Sequence, residues 1–569
     1  MSVMSYMVMV PLLPLLTALF AWAAGRRLHI RSARLGALPI VAAFLGAAAT
    51  LVLVASQGPI TVRFYETGSA ANPALPMGFY FDRLSAVMMT LITLVGTIIY
   101  LYSTGYMYQD RGYSRYLGLI AFTTFVLLCM VSSANLVMLF VFWQLLSWLL
   151  FLLAHNHTHA ATLDGAFKTF TFLRVGDVAF LAGIVLAHSL YGTIEFQELF
   201  ARAAAMPMVL SLWPGFEISG ATAVTLLIFV GAMSKSAQFP IHIWLPISLY
   251  APTPVHALLH AGIINAGGFL LNRLAPLYGL SSTTLHVVFV VGMLTAILGA
   301  FMMLTQNDIK KTLGFSTIGQ MGYMIMECGL GAFSLAVFHL IAHGLFKATV
   351  FLNCGNVIHK ARQEPAFPHH DHALEETELS RLTWLTGFLA TLVLPLSILL
   401  AAHGVLHIPL LESQGTVIFL FFAWVTSSQA ILTLTRLRAV ASWKVSGAML
   451  LTLLLVVFTY LFAVETFTAF LYPNPAEVDR YFRAAALPAR LFDALVVTVT
   501  LSTILGWFVI YANAHGRTIW IPAWVRMLRV RLYVLFMNRL YVDVLYARLG
   551  WRLMRMAHRV DRHSFGRLS

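Results

Sequence analysis

Charge is scarce in this chain. Asp, Glu, Lys and Arg together supply only 10% of its 569 residues, against 60% hydrophobic residues. So few charges cannot clothe the surface of a soluble protein, which excludes an ordinary globular fold. Cysteine is nearly absent as well. Cys129, Cys328 and Cys354 each fall inside an apolar segment with no CxxC pair, so a disulfide framework, an iron–sulfur cluster and a c-type haem are all excluded. No GxxxxGK[ST] loop occurs to cradle a nucleotide phosphate, so ATP does not drive this chain directly. The first apolar run has no basic region ahead of it; its first charges, Arg26 and Arg27, follow it. That is the pattern of an uncleaved first helix with its N-terminus outside.

What is present is a series of apolar runs of about 20 residues, repeated along nearly the whole length. The runs are continuous rather than alternating, which excludes a β-barrel. The fold class is therefore an all-α polytopic membrane protein with about fifteen transmembrane helices. The segments lie near 4–24, 35–56, 79–104, 116–132, 135–154, 166–190, 223–249, 252–278, 285–305, 309–328, 333–356, 382–403, 415–435, 447–471 and 490–513. The net charge of +14 follows topology rather than nucleic acid. With the N-terminus outside, Arg26, Arg27, Arg31, Arg34, Arg111, Arg115, Lys310, Lys311 and the basic tail all fall inward. The outward connections carry little beyond Arg63, Arg202, Arg480 and Arg483. This asymmetry predicts a bacterial inner-membrane protein with a periplasmic N-terminus and a cytoplasmic C-terminus.

One stretch organises the rest. In GAMSKSAQFPIHIWL, Gly231 to Leu245, Lys235 lies inside an apolar run, and Pro240 and Pro246 interrupt helical hydrogen bonding just beyond it. A lysine at bilayer depth costs roughly 2.5–3.5 kcal/mol, so it must face other helices or a hydrated cavity. His242 lies within the same break. Further on, His256 and His260 stand four apart, and His339, His343 and Lys347 repeat that step on another segment. Each step rises about 6 Å, so these groups line one helix face and need water between them. A histidine pair could ligate zinc, but no cysteine or carboxylate lies nearby and Lys347 would repel a cation, so no metal is expected here. In AFKTFTFLRVGDVAF, Lys168, Arg174 and Asp177 add charges, and Arg174 can pair with Asp177 three residues on. Either Asp177 or Glu327 can serve as the counter-charge for Lys235. A series of buried lysines and histidines tuned by acids suits proton movement.

Two loops expected to be cytoplasmic are rich in histidine, at His155, His157 and His159 and at His369, His370 and His372 around Asp371. They can collect protons, bind a metal ion or simply be solvated. Near the end of the chain, Tyr541, Leu545, Leu549, Leu553, Met556 and Val560 form an apolar stripe at helical spacing. Arg548, Arg552, Arg555, Arg559 and Arg562 form a basic one. The pattern predicts an amphipathic helix over 526–563 on the membrane surface, binding anionic lipid or docking a soluble partner.

These residues resemble the antiporter-like proton channel family, the large membrane subunits of respiratory complex I and of multisubunit cation/proton antiporters. The landmarks are FDRLS at Phe81 to Ser85, LRVGD at Leu173 to Asp177, GAMSKSAQFP, APTPVHALLHA through His260, QNDIKKTLGFSTIGQMGYM and FHLIAHGLFKA through Lys347. The resemblance implies that Lys235, Lys310, His339, His343 and Lys347 belong to a proton path inside two inverted five-helix repeats over 116–278 and 285–435. N-terminal helices would occupy 1–110, and C-terminal ones 447–513. Two departures stand out. Where complex I subunits carry a glutamate after the tryptophan matching Trp143, this chain has Gln144. In LATLVLPLSILLAAHG the break at Pro395 remains but the family's lysine is absent, leaving His403 as the nearest titratable group.

The segment LLHAGIINAGGFLLNRLAPL is similar to the membrane subunits (the DabB family) of DAB-type inorganic carbon transporters. Their cytoplasmic partner, DabA, is a zinc protein resembling a β-carbonic anhydrase. The resemblance implies a proton- or cation-conducting subunit, not itself an enzyme, coupled to CO2 hydration and bicarbonate accumulation, with the zinc in the partner. The alternatives are a complex I or antiporter pumping subunit, or a non-conducting anchor for a soluble protein.

Overall fold

The structure is a computed structural model that describes residues 3–64, 77–154, 160–247, 251–363, 454–459, 462–514 and 522–565, and single positions between 389 and 451. The expected spans near 382–403 and 415–435, much of 447–471, the break at Pro395, His403 and both histidine-rich loops lie outside or only partly within the described residues. The chain is helical with two short hairpins. The helices are α1 Val3–Ala24, α2 Ile30–Leu35, α3 Leu38–Gln57, α4 Arg83–Tyr106, α5 Tyr113–Val131, α6 Leu136–Ala154, α7 Ala160–Tyr191 and α8 Phe196–Ala205. Then follow α9 Gly220–Lys235, α10 Trp244–Ile247, α11 Thr253–Ala261, α12 Ala266–Arg273, α13 Ala275–Tyr278, α14 Ser282–Leu304, α15 Ile309–Gly329 and α16 Phe333–Gln363. The hairpins pair β1 (Ile60–Arg63) with β2 (Gly78–Phe81), and β3 (Val209–Trp213) with β4 (Phe216–Ser219), both antiparallel. Each hairpin occupies a connection between spans, where backbone groups that lipid could not satisfy pair with one another.

Among the described residues, 10 helices are long and apolar enough to cross a membrane, and the shorter α9 is apolar as well. The expected helix beginning near 223 does break. It ends at Lys235, and a 3-10 turn (Ile241–Ile243) and the short α10 resume after the prolyl interruption. A second break follows at Gly262, where α11 gives way to a 3-10 turn, Ile263–Asn265, and then to α12. The two breaks pack on each other: Ser236 Oγ donates to the Ile264 carbonyl at 2.6 Å.

Glycine sets the closest approaches. A Cβ on Gly176 of α7 would collide with Ser234 of α9, so this glycine is what allows the lysine-bearing helix to lie against its neighbour. In α14 and α15 a Cβ on Gly322 would run into the backbone of Gly292 and Ala296. At that contact the two helices touch main chain to main chain, the geometry small residues permit in a bilayer.

The expected single helix over 526–563 is two helices, Ala523–Met537 and Val542–Phe565. Arg539, Leu540 and Tyr541 between them have φ of 54°, 57° and 55°. Three consecutive left-handed residues cannot continue a right-handed helix. Tyr541 accordingly precedes the amphipathic helix instead of starting its apolar stripe. In the described part of that helix Leu545 and Met556 are exposed, and so are Arg548, Arg552 and Arg555. The described members of both stripes are therefore uncovered by the rest of the chain, and the side chains of Leu549, Leu553 and Val560 are outside the described set. The side chains of Arg559 and Arg562 are outside the described set.

Gly322→Ala is expected to destabilise the α14–α15 pair by about 1–3 kcal/mol, the usual cost of overpacking. Thermal unfolding in detergent reads this as a lower midpoint. Gly105→Ala, whose Cβ would meet nothing within 4 Å, is the control and should leave the midpoint unchanged or raised.

Candidate functional site

Lys235 is the last residue of α9 and is fully buried. Backbone carbonyls at a helix C-terminus carry partial negative charge, so the break itself offers an ammonium group a favourable end of a dipole. Its Nζ donates to the Trp143 carbonyl at 3.0 Å and to Ser147 Oγ, and lies 5.0 Å from the centre of the Trp143 ring. Trp143 and Ser147 stand four apart on one face of α6, which is why a single lysine reaches both.

The acid nearest this group is Asp177. Trp143 Nε1 donates to Asp177 Oδ1 at 2.7 Å, and Asp177 Oδ2 pairs with Arg174 at 3.0 Å. Arg174 also donates to Gln144 Oε1 and lies over the Phe170 ring at 4.5 Å. Among the described residues no carboxylate comes within ion-pair distance of Lys235. The carboxylate is held one residue away, behind the indole, and its charge is already shared with Arg174. Gln144 thus stands beside Arg174 and leaves Lys235 with neutral partners. Lys168, on the same α7, is exposed.

A second group assembles on α16. Glu327 of α15, the other candidate counter-charge, pairs with His339 Nδ1 at 3.1 Å, while His339 Nε2 meets Gln320 Oε1 at 2.9 Å. Glu327 therefore belongs to His339 and Asp177 to the surroundings of Lys235. Along α16 the His343 ring centre is 6.3 Å from that of His339. One step further, Lys347 Nζ donates to Ser316 Oγ at 3.0 Å and to the Leu313 carbonyl at 3.3 Å, both on α15.

Phe351, the next residue on that α16 face, links the row to α11. The His260 ring lies parallel to it with centres 4.4 Å apart, and the His256 ring is 5.8 Å away. His260, in the last turn before the second break, is buried, as is His343, and among the described residues neither imidazole has a hydrogen-bond partner. A buried polar group without a partner costs roughly 1–3 kcal/mol unless it is solvated, so each of these rings marks a place for water. The structure thus gathers Lys235, Asp177, Arg174 and Gln144 at the first break. It gathers His256, His260, His343 and Lys347 between α11 and α16, and His339 with Glu327 beside them. Lys310 stands apart, half-buried in the first turn of α15 just after its N-cap, Asp308. His242 is buried in the first break with its ring 5.6 Å from that of Phe239.

The C-terminal amphipathic helix reaches this region. Tyr546 packs edge-on to Phe172 of α7 at 5.0 Å, and its hydroxyl approaches the Pro240 carbonyl at 3.4 Å. The basic helix is therefore in contact with the backbone just past Lys235.

Sequence reasoning missed one buried ion pair. Arg273, at the end of α12, makes a two-pronged contact with Asp82, at 2.7 and 3.1 Å, and also donates to Ser85 Oγ at 2.6 Å and the Val131 carbonyl at 3.2 Å. The Tyr80 and Phe269 rings flank its guanidinium, each at 5.4 Å. Asp82 in turn caps α4 through the Ser85 amide at 2.8 Å. A lone arginine inside the apolar run GFLLNRLAPL was the available signal, because such a charge needs a partner.

Titratable groups set at two helix breaks packed together inside a membrane bundle define an antiporter-like membrane subunit. The comparisons with known proteins agree. Residues 133–433 match the family described as NADH:quinone oxidoreductase/Mrp antiporter, TM, and residues 69–117 match that of the NADH-ubiquinone oxidoreductase (complex I) chain 5 N-terminus. The chain is 40% identical over 562 residues to the probable inorganic carbon transporter subunit DabB1 of Halothiobacillus neapolitanus, covering 97% of this chain and 98% of that one. It is 34% identical over 409 residues to NADH-quinone oxidoreductase subunit L of Neisseria meningitidis, covering 69% of this chain but 60% of that one. Two solved structures share the fold. A chain of the Mrp complex from Dietzia sp. aligns with a TM-score of 0.55 at 23% identity, over 98% of this chain and 60% of that one. A chain of respiratory complex I from Thermus thermophilus aligns at 0.58 and 20% identity, over 84% of this chain and 100% of that one. The chain belongs to the NADH:quinone oxidoreductase/Mrp antiporter membrane family and, within it, to the DabB family of membrane subunits.

Arg273→Gln is expected to cost about 3–5 kcal/mol, since removing one member of a buried pair leaves Asp82 uncompensated. Thermal unfolding of the purified protein checks this. Pairing Arg273→Met with Asp82→Leu should recover most of the loss.

Proposed function

We propose that this chain conducts protons through the membrane along Lys235, His260, His343, Lys347 and His339, and that this flow, driven by the membrane potential, powers inorganic carbon accumulation by a cytoplasmic zinc-containing partner. The observation that carries the conducting role is Lys235 itself, fully buried at the end of a broken helix and held by a carbonyl and a hydroxyl. A structural ion pair would have placed a carboxylate on it. An ammonium group on neutral acceptors can release its proton without breaking a charge pair. Protons are favoured over sodium because the row offers nitrogen donors and a buried cation, whereas hard metal ions require cages of oxygen ligands.

The carbon-transport role rests on the similarity to DabB1, which extends over nearly the whole of both chains. The similarity to the complex I subunit stops at 60% of that protein, and the glutamine at position 144 replaces the charge expected beside the lysine in such pumps. The bound zinc of the partner would supply an activated water for CO2 hydration. Each hydration, CO2 + H2O → HCO3− + H+, liberates a proton. Groups of this chain that accept and pass on protons would determine whether that reaction runs one way. Contact between the basic C-terminal helix and the Pro240 carbonyl offers a second means of coupling, through movement of the broken helix. With the N-terminus periplasmic and the tail cytoplasmic, the exposed Arg548, Arg552 and Arg555 would face that partner or the lipid surface.

Proteoliposomes carrying a potassium diffusion potential and an internal pH dye test the conducting role. Lys235→Ala should lower proton flux on the order of 10²-fold, the low end of what a proton-transfer group contributes. Lys235→Arg should lose flux equally, because arginine keeps the charge but does not release its proton. Both variants should still elute as folded protein on size exclusion. Undiminished flux in Lys235→Ala would discard the conducting role and leave the anchor.

A further inference from the structure

An open cavity of about 620 Å³ lies between α2, with the residue that precedes it, and the α4–α5 connection, lined by His29, Ile30, Arg31, Ser32, Leu35 and Tyr108. It is far in sequence from the groups assigned to conduction. We propose that it binds the headgroup of an anionic phospholipid, with the lipid's acyl chain lying along the outer face of α3.

Three observations support this. The first is charge. Between 25 and 35 the chain has Arg26, Arg27, Arg31 and Arg34 and no acid. Arg27, Arg31 and Arg34 are exposed, and among the described residues none of the three has an ion-pair partner. The nearby Asp110 turns its Oδ1 onto the Gly112 amide at 2.7 Å, so its carboxylate is occupied in a turn.

The second is depth. The apolar stretch that begins at the cavity is two helices, α2 (Ile30–Leu35) and α3 (Leu38–Gln57), separated at Gly36 and Ala37. The 20 residues of α3 rise about 30 Å at 1.5 Å per residue, which matches the hydrocarbon thickness. That leaves α2 at one end of the span, among the headgroups. Arg31, Ser32 and His29 mark that end, since the opposite end has no basic residue before Arg63. At this end α2 packs on α4, and the turn that follows α1 packs on α5. Tyr108, 42% exposed, stands at this end, and a tyrosine suits the headgroup level because its ring is apolar and its hydroxyl polar.

The third is the track beneath. Leu35, Leu38, Leu45 and Val52 are 66%, 63%, 64% and 69% exposed. Leu38, Leu45 and Val52, seven apart, lie on one face of α3. Leu35, the last residue of α2, lines the cavity and stands three residues before that stripe. Basic groups above an uncovered apolar stripe match an amphiphile with an anionic head. The hydroxyl of Ser32 is already engaged with the His29 backbone at 3.0 Å, so Arg31 and Tyr108 carry recognition. Free phosphate would use Arg31 but gain nothing from the stripe.

Native mass spectrometry of the full-length protein in mild detergent, delipidated and then titrated with phosphatidylglycerol or phosphatidylcholine, tests the proposal. Wild-type protein should retain phosphatidylglycerol in preference to phosphatidylcholine. Arg31→Gln should weaken phosphatidylglycerol binding roughly fivefold, the factor that corresponds to about 1 kcal/mol per basic residue near an anionic surface. Arg480→Gln, a surface charge elsewhere, should leave it unchanged. Leu38→Ser should weaken it as well, which a site for the headgroup alone would not. Equal retention of the two lipids, equal loss in the Arg480 variant, or displacement of the lipid by millimolar inorganic phosphate would overturn the proposal. So would a second protein chain cross-linked at Leu38 in place of lipid.

Discussion

A helix broken at bilayer depth leaves amides and carbonyls that lipid cannot satisfy, so the break has to be enclosed by protein. Much of this molecule is arranged around that demand. Ser236, in the first break, donates to the Ile264 carbonyl in the second, and Trp244 Nε1 returns to the Ser234 carbonyl at 2.8 Å. Gly176 and Gly322 bring the flanking helices close enough to seal the region. Because the helices before both breaks carry a titratable residue in the last turn, Lys235 and His260, enclosing the backbone also encloses those groups. The partial negative charge of each helix end makes the position tolerable for a cation.

Around that enclosure the polar groups are sorted into fixed and movable sets. Asp82 with Arg273 is a two-pronged ion pair clasped by rings, a fixed tie between α4 and α12. Asp177 with Arg174 is a pair beside the row, and Glu327 pairs with His339, a member of it. Among the described residues, Lys235, His260, His343 and Lys347 have neutral partners or none. A proton relay needs the second kind of group and is positioned by the first. The C-terminal helix touches the backbone of the first break through Tyr546 and also exposes Arg548, Arg552 and Arg555 to other molecules.

Much of this was legible in the sequence because membrane chains announce their exceptions. Lys235, the histidine pairs four apart and the prolines beside Lys235 are visible against an apolar background, and the structure places Lys235 and His260 in the last turns before the two breaks. The assignment of counter-charges was not legible. Asp177 and Glu327 lie 58 and 92 residues from Lys235 in the chain, and only the packing of α6, α7 and α15 decides which residue each one meets. Phe351 was invisible for another reason: a phenylalanine in an apolar helix carries no signal until two imidazoles are found stacked beside it. The kink at 539–541 also went unread, because no glycine or proline marks it.

The central claim is that a proton leaving and rejoining Lys235 drives carbon accumulation. It is tested most directly by labelled inorganic carbon uptake in cells that express this chain together with its partner. The account predicts accumulation above the level of the medium with the wild-type chain, abolished both by a protonophore and by Lys235→Arg in a complex that still assembles. Accumulation that persists in the Lys235→Arg cells, or that survives the protonophore, would contradict it.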